Sequence, residues 1–324
     1  MRAVLQRGYG GAEVLRVGDT SRPVPQPGEV LVRVDAAGID RGTWHLMTGR
    51  PYLMRIMGFG FSAPKNPVPG LDLAGTVVAL GEGVTRFQVG DRVFGIGRGS
   101  FAEFACARED KLARVPTGAS FEQAALLGVS AITALGAIDA AGLRAGERVL
   151  VVGASGGVGS YAVQIAKALG AEVAAVCSAS KVDHVRRLGA DVVFDYRTQD
   201  FADGTATYDV ILDLGGNTPL SRLRAAMTPR GRLVFVGGEN GGDWTAGFGR
   251  PLGALLLGLF VKQRFLMFAA KEHHEPLERI AAMFEAGTLR PTIDRTVGLD
   301  GVGAALAELE AGRVTGKISV RIGA

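Results

Sequence analysis

The sequence predicts an α/β protein, with a doubly wound parallel sheet joined to a mostly β domain. Three observations predict this. Residues 149–159 read VLVVGASGGVG, an apolar run that ends in glycines and passes into a helical pattern. From Arg148 onward, short buried strands alternate with amphipathic helices, the order of a doubly wound sheet. Residues 1–117 instead carry two-residue alternation and frequent turn signals, which read as a β domain.

The elements follow in order. GEVLVRVDAAGI (28–39) sets Val30, Val32 and Val34 against Arg33 and Asp35, the period of a half-buried strand. AGTVVALGEGVTRFQVGDRVFGIG (74–97) reads as short strands divided by GEG and VGD turns. Ser120 and Gln123 are spaced as a capping box, and the alanine- and leucine-rich stretch to 142 after them reads as helix. RVLVV (148–152) is a buried strand. The helix after it places Val158, Ala162, Ile165 and Leu169 on one face. AEVAAVC (171–177) is the next strand. Ser180 with Asp183 forms a second expected capping box, before an apolar face of Val182, Val185 and Leu188. DVVFDY (191–196), YDVILDLGG (208–216) and GRLVFVGG (231–238) are strands, and Thr218-Pro219 opens a helix. RFLMFA (264–269) reads as the last strand of this sheet. PLERIAAMFEAG (276–287) and GVGAALAELEAG (301–312) are late helices among the strands RPTIDRTVGL and GKISVRI. The tail is expected to return to the first domain. That makes one domain of 1–118 with 288–324, and a nucleotide-binding domain of 119–287.

Composition narrows the function. The 324 residues suffice for two domains, and 47% of them are hydrophobic. A net charge of +4, with no block of like charges, gives no footprint for nucleic acid. Cys106 and Cys177 are the two cysteines, and no CxxC occurs. A disulfide framework and a cysteine-rich zinc site are therefore not expected, and a reducing cytoplasm is the natural setting. The opening MRAVLQRGYG lacks the apolar core of a signal peptide. PLGALLLGLFV (251–261) falls well short of the ~20 residues a membrane span requires. It and PYLMRIMGFGF (51–61) read equally as walls of an apolar pocket or as core and dimer packing.

The glycine turn carries the strongest functional signal. Gly153, Ala154, Ser155, Gly156, Gly157, Val158 and Gly159 follow a strand and open a helix. Backbone amides there can reach a pyrophosphate, helped by the positive end of the helix, and Gly159 lets the helix lie close to the sheet. NAD sites usually place a carboxylate at the end of the second strand. Here that strand ends Val176-Cys177-Ser178, with Lys181 beyond. Glu172 stands at the opposite end, and Asp183 lies inside the next helix. Ser178 and Lys181 suit a 2′-phosphate, which favours NADPH. Leu214 and Gly237, at the ends of two later strands, complete the cofactor-binding set. His273-His274 opens a late helix with no third ligand nearby.

Seven stretches in order carry a family resemblance. They are PGEVLVRVDAAGI, PVPGLDLAGTVVALGEGVTRFQVGDRVFG, GSFAEFA, GASGGVG, RRLGADVVFDY, YDVILDLGG and GKISV. The chain resembles the medium-chain dehydrogenase/reductase superfamily, in its zinc-free quinone oxidoreductase-like branch. The resemblance implies a GroES-like β domain split around a Rossmann domain, with the active site in the cleft between them. It also implies a homodimer joined through the last strand of the Rossmann sheet. Where zinc-dependent members carry catalytic ligands, this chain carries Asp40, Leu71 and Val129, and the structural zinc lobe is absent. Asp40 and Asp72 with His45 would make only a poor carboxylate site. Zinc-free relatives often read GINPVD where this chain reads GIDRGT, so Asp40 replaces an asparagine that would face the nicotinamide. An ionised aspartate cannot donate the hydrogen bond an asparagine can. Pairing with Arg41 is one role open to it. Tyr52 falls where relatives carry pocket tyrosines, and its hydroxyl suits an oxyanion; His45 is a weaker candidate. Thr133 resembles the threonine that meets the nicotinamide amide, and Tyr196 an adenosine-phosphate contact.

Without a metal to polarise an alcohol or simple ketone, the expected reaction is hydride transfer from NADPH to an activated acceptor. A small hydrophobic quinone or α,β-unsaturated carbonyl fits, because its negative charge spreads to oxygen. Two other readings stay open: a zinc-free alcohol dehydrogenase or carbonyl reductase, and a non-catalytic NADPH-binding sensor or scaffold.

Overall fold

In the computed structural model, residues 1–53, 55–56, 60–237, 242, 244 and 249–323 are described. Met54 and residues 57–59 of the apolar stretch 51–61, and Gly238 at the end of GRLVFVGG, lie outside the described residues.

The chain divides into two compact units, Met1–Ile132 with Glu272–Ala324, and Thr133–Lys271. The first opens with an antiparallel ribbon of β1 (Arg2–Gln6) and β2 (Leu15–Asp19). β3 (Glu29–Ile39) leads into α1 (Arg41–Thr48), and then come β4 (Asp72–Leu80), β5 (Arg92–Ile96), β6 (Phe104–Arg108) and β7 (Leu112–Arg114). α2 (Phe121–Ala124) and the start of α3 (Val129–Ala141) close this stretch. The second unit runs β8 (Arg148–Val152), α4 (Gly157–Ala168), β9 (Glu172–Cys177), α5 (Val182–Arg187) and β10 (Val192–Asp195). It continues through β11 (Tyr208–Asp213), α6 (Leu220–Ala225), β12 (Met227–Phe235), α7 (Gly249–Leu257) and β13 (Arg264–Met267). The tail adds α8 (His274–Glu285), β14 (Ile293–Val297), α9 (Val302–Glu310) and β15 (Lys317–Arg321) to the first unit.

In the first unit the strand order is β14-β15-β3-β4-β5-β7, with β6 also on β3. The return of the tail is real, since β15 pairs antiparallel with β3, Ile318 opposite Ile39. β3 is not the half-buried strand its alternation suggests. Arg33 is its one exposed residue, because β4, β6 and β15 all pair with it and α2 and α9 pack on it. Val30, Val32, Leu73, Val77, Val302, Leu306 and Val320 meet in one apolar cluster. Burial of each such side chain is worth about 1.5–3 kcal/mol.

The second unit holds a parallel sheet in the order β10-β9-β8-β11-β12-β13. Sequence order reverses between β8 and β11, the switch point at which doubly wound sheets bind ligands. Its core gathers Leu150, Val176, Ile211, Leu223, Leu233 and Phe265. No helix among the described residues is long and apolar enough to cross a membrane.

Several local expectations change. The division falls at 132/133 and 271/272 rather than 118/119 and 287/288. α2 packs on β3, β4 and β15, and α8 packs on β7, so both stay with the first unit. The capping box of Ser120 and Gln123 forms, yet the helical stretch behind it is broken. Asp72 causes the break: its Oδ1 accepts from Val129 N at 2.7 Å, and a Cβ at Gly128 would stand 2.2 Å from that oxygen. Ser180 and Asp183 form no box, because Ala179–Lys181 makes a single tight turn and α5 starts only at Val182, uncapped by any side chain. On α4, Ala162 and Ile165 are buried as expected. Leu169 is exposed, and Tyr161 takes up core space instead. In α7, Pro251 and Ala254 are buried while Leu252, Leu256, Leu259 and Phe260 lie exposed on and just beyond the helix, so core packing does not account for those leucines.

Candidate functional site

β8 ends at Val152, and the chain turns through Gly153 at φ +89, a left-handed conformation that favours glycine. Gly153 and Ala154 both donate to the Val176 carbonyl, at 3.1 Å each, which pins the turn to β9. α4 then starts behind Gly156 with no side-chain cap. Among the described residues no side chain accepts from its leading amides, the condition an incoming phosphate requires. A Cβ at Gly156 would meet nothing nearer than the Gly153 carbonyl at 3.7 Å, so the space before the turn is open. Gly159 works in the opposite sense: a Cβ there would stand 2.2 Å from the Gly153 carbonyl. Ala154, Ser155 and Gly159 are buried, whereas Gly157 and Val158 are half-buried.

The ends of β8, β11 and β12 converge beside this turn. Leu214 donates to the Val152 carbonyl at 3.0 Å, and Gly215 lies against Gly153. A Cβ on Gly237 would stand 2.1 Å from the Leu214 carbonyl. Leu214 and Gly237 therefore belong to the same sheet edge as the glycine turn. Thr133 lies half-buried in α3. At the end of β9, Ser178 and Lys181 flank the short turn before α5, both half-buried. Tyr196 joins them, since its amide donates to the Cys177 carbonyl at 3.2 Å and its side chain is exposed.

Three features here were not foreseen. Arg197 lies 5.7 Å from the centre of the Tyr196 ring and adds a cation to this corner. Asp195 brings a carboxylate opposite Cys177, but it closes its own loop, accepting from Arg197 N and Thr198 Oγ1 at 3.2 Å each. At the end of β11, Asp213 is fully buried and pairs with Arg250 of α7, which also donates to the Thr218 carbonyl at 2.5 Å. Burial pushes the Asp213 carboxyl up, and the Arg250 guanidinium opposes that. Nothing in the sequence pattern singles out this pair.

In the first unit, Asp40 ends β3 and caps α1: its Oδ1 accepts from Thr43 N at 2.7 Å. The neighbouring Arg41 lays its guanidinium over the Trp44 ring at 4.5 Å. Asp40 Oδ2 is buried and has no hydrogen-bond partner among the described residues. Asp72, fully buried on β4, accepts from Lys317 Nζ at 2.5 Å through Oδ2. Lys317 is only 2% exposed, and the sequence pattern marked it merely as the start of a closing strand. A lysine heading an otherwise apolar, buried strand is the signal that would have found it. Burial pushes Asp72 up to about 6 against the pull of Lys317, and the nearby Asp40 adds to the rise.

His45 is turned away from these acids. Its Nδ1 contacts the Arg50 carbonyl at 2.7 Å, and burial lowers its pKa. Tyr52 is half-buried beneath Arg55, whose guanidinium lies 4.6 Å from its ring centre and 4.3 Å from that of Tyr9. Arg55 is fixed in turn by the Gly49 and Thr48 carbonyls at 2.9 and 3.1 Å. Cys106 and Cys177 are buried, and burial pushes both thiols up to about 11, so neither is poised as a nucleophile.

Residues 26–117 match the alcohol dehydrogenase GroES-like domain, and residues 188–320 match the zinc-binding dehydrogenase domain. A pig quinone oxidoreductase is 32% identical over 90% of this chain and 89% of its own length. The chain belongs to the medium-chain dehydrogenase/reductase superfamily, in its quinone oxidoreductase-like branch. It is an oxidoreductase of that type. Among solved structures, the quinone oxidoreductase from Coxiella burnetii superposes with a TM-score of 0.86 at 25% identity, covering 99% of each chain. A mycobacterial protein complexed with NADPH superposes at 0.84 with 25% identity, covering 99% of this chain and 100% of that one.

The second domain family is described as zinc-binding, yet the donor set of this member does not fit zinc. Leu71 and Val129 offer no ligand atom, and Asp72 is committed to Lys317 and Val129 N. No group of three His, Cys, Asp or Glu side chains suited to a metal occurs among the described residues.

The buried pair generates a stability test. Lys317→Met leaves Asp72 buried without its cation and is expected to cost about 3–5 kcal/mol in denaturant unfolding. Adding Asp72→Leu should recover most of that loss; simple addition of the two losses would show that the pair is not coupled. The pH dependence has a definite sign. Between the 3.8 of an ordinary aspartate and about 6, the folded state keeps the Asp72 proton that the unfolded chain releases. Its contribution to stability therefore falls as pH rises through that window.

Proposed function

We propose that this oxidoreductase is a zinc-independent reductase that uses NADPH to reduce a quinone or an α,β-unsaturated carbonyl. The observation that carries the reading is the uncapped α4 terminus behind an open glycine turn, beside a β9 end bearing Ser178 and Lys181. The quinone oxidoreductase relatives and the NADPH complex of a structural neighbour support it.

In this reading Gly153, Ala154, Ser155, Gly156, Gly157 and Val158 hold the pyrophosphate with backbone amides. Ser178, Lys181 and Tyr196 hold the adenosine phosphate. Thr133, Leu214 and Gly237 position the nicotinamide end. A bound dihydronicotinamide supplies hydride. The chain then has to orient the acceptor and stabilise the negative charge arriving on its oxygen. Tyr52 is a donor for that oxygen, its ring held by Arg55.

The test is NADPH oxidation by chelator-treated protein with a panel of quinones, enones, ketones and aldehydes. Turnover confined to plain ketones or aldehydes, or loss of activity together with stoichiometric zinc, would overturn the reading. Ser178→Ala with Lys181→Ala should raise the NADPH KM about tenfold or more and leave NADH nearly unchanged, since charge-assisted phosphate contacts are worth roughly 1.5–3 kcal/mol. Equal wild-type efficiency with both cofactors would remove the NADPH preference.

Tyr52→Phe should lower kcat about 10- to 1000-fold while the NADPH KM holds, the range from a modest donor to an oxyanion-hole donor. An unchanged kcat would take Tyr52 out of the mechanism.

We also propose a homodimer. β13 is the outer strand of the parallel sheet, and Leu252, Leu256, Leu259 and Phe260 stand exposed in and just after α7, which packs on it. An open edge beside an apolar stripe favours a second copy of the chain. Light scattering at micromolar concentration is expected to give twice the chain mass; a monomer would refute this.

A further inference from the structure

The end of β11 is organised around one buried acid. Asp213 is sealed from solvent, and each of its oxygens is engaged. Its main-chain carbonyl accepts from Val236 N and Gly237 N at 3.1 Å each, which holds the end of β12. Its Oδ1 accepts from Gly216 N at 3.2 Å, which turns the chain at a left-handed residue, φ +70. Its Oδ2 takes Arg250, in the first turn of α7, and the same guanidinium donates to the Thr218 carbonyl at 2.5 Å. Arg250 also lies 5.2 Å from the centre of the ring of Phe235, which stands beside Asp213 in the sheet. One ion pair therefore closes residues 214–218 at both ends, Asp213 at the start and Arg250 at the finish.

That segment lies against the glycine turn. Leu214 N donates to the Val152 carbonyl at 3.0 Å, and a Cβ on Gly153 would stand 3.2 Å from Gly215 N. The Leu214 carbonyl in turn leaves Gly237 no room for a side chain. A shift of residues 214–218 thus disturbs the end of β12 and the turn after β8 together.

We propose that Asp213 and Arg250 are positioning residues for the dinucleotide: they hold residues 214–218 in the shape that receives its nicotinamide half. The proposal rests on the NADPH reading above. Asp213 is buried, so it acts through Leu214, Gly215 and Gly237 and not on the ligand itself. The adenosine half is assigned to Ser178, Lys181 and Tyr196, past β9. β9 and β11 flank β8 on opposite sides, so the clamp serves one half of the cofactor and not the other.

Preorganisation is the physical gain. A segment ordered before its ligand arrives does not have to be ordered by it, and the saved entropy appears as affinity. A buried ion pair suits this task better than an apolar contact. Its hydrogen bonds are directional, and the planar guanidinium reaches two acceptors at once, a carboxylate and a carbonyl.

The separation of the two halves gives the test, which needs no turnover. Binding of NADPH and of 2′,5′-ADP, which lacks the nicotinamide, is measured by titration calorimetry. Arg250→Met should weaken NADPH about tenfold or more and leave 2′,5′-ADP nearly unchanged. Because Arg250→Met strands a buried acid, Asp213→Leu with Arg250→Met is the second variant. Replacing both partners by apolar groups should return denaturant stability close to wild type. NADPH affinity should nevertheless stay about tenfold down, since the direction of the segment is lost. A purely structural pair would regain stability and affinity together. NADPH binding at wild-type strength in the double variant therefore overturns the proposal and leaves the NADPH reading standing. Parallel loss of NADPH and 2′,5′-ADP in the double variant marks general damage and overturns it too. A wild-type chain that binds neither molecule removes the NADPH reading, and the positioning role with it.

Discussion

The ion pair between Lys317 and Asp72 ties together much of the first unit. It joins the last strand to β4 across β3, all within an apolar interior. Asp72 also stops one helix from running into the next, since its second oxygen caps Val129 and leaves Gly128 no room for a side chain. Asp40 lies near enough for its charge to raise the Asp72 carboxyl further. One buried acid thus acts on both strand pairing and the α2–α3 break. Such pairs add little net stability relative to an apolar pair, but removing one partner is costly. The pair is better understood as fixing geometry and charge than as holding the fold together.

The second unit depends on backbone rather than side chains. Gly153, Gly159 and Gly237 each occupy a place where another residue would strain the chain or strike a carbonyl. The ends of β8, β11 and β12 can therefore approach one another around an uncapped helix. A site built from amides and missing side chains is written plainly in sequence, because only glycine satisfies it. That is why the glycine turn was legible at once, with its strand before and helix after.

Other features were legible to different depths. Strand positions followed from apolar periodicity, and the returning tail followed from two strand patterns after the last helices of the parallel unit. The Ser120 box was right because both of its side chains lie within one turn. The Ser180 box failed because a tight turn of Ala179–Lys181 delays the helix, a choice made by local backbone geometry that pattern spacing does not report. Asp40 was recognisable as a departure from its family, but its burial was not. Lys317 was hidden too, since it reaches Asp72 only after β15 has docked on β3. The Asp213–Arg250 clamp was hidden for the same reason, since two ordinary charged residues become significant only when folding buries one of them.

The pairing of β3 with β15 also bears on how the protein is made. β3 is made long before β15, so its β15 edge stays open until residues 317–321 have been synthesised. The parallel sheet from β8 to β13 is complete by then, with all its strands contiguous in sequence. The nucleotide unit can therefore settle while the flanking unit still waits for its last strand. During that interval β6 covers residues 29–33 but residues 36–39 lack a partner on that edge, and a nascent copy on a neighbouring ribosome presents the same open stretch. The burial of Lys317 closes this window, since the strand it heads takes up the open edge of β3.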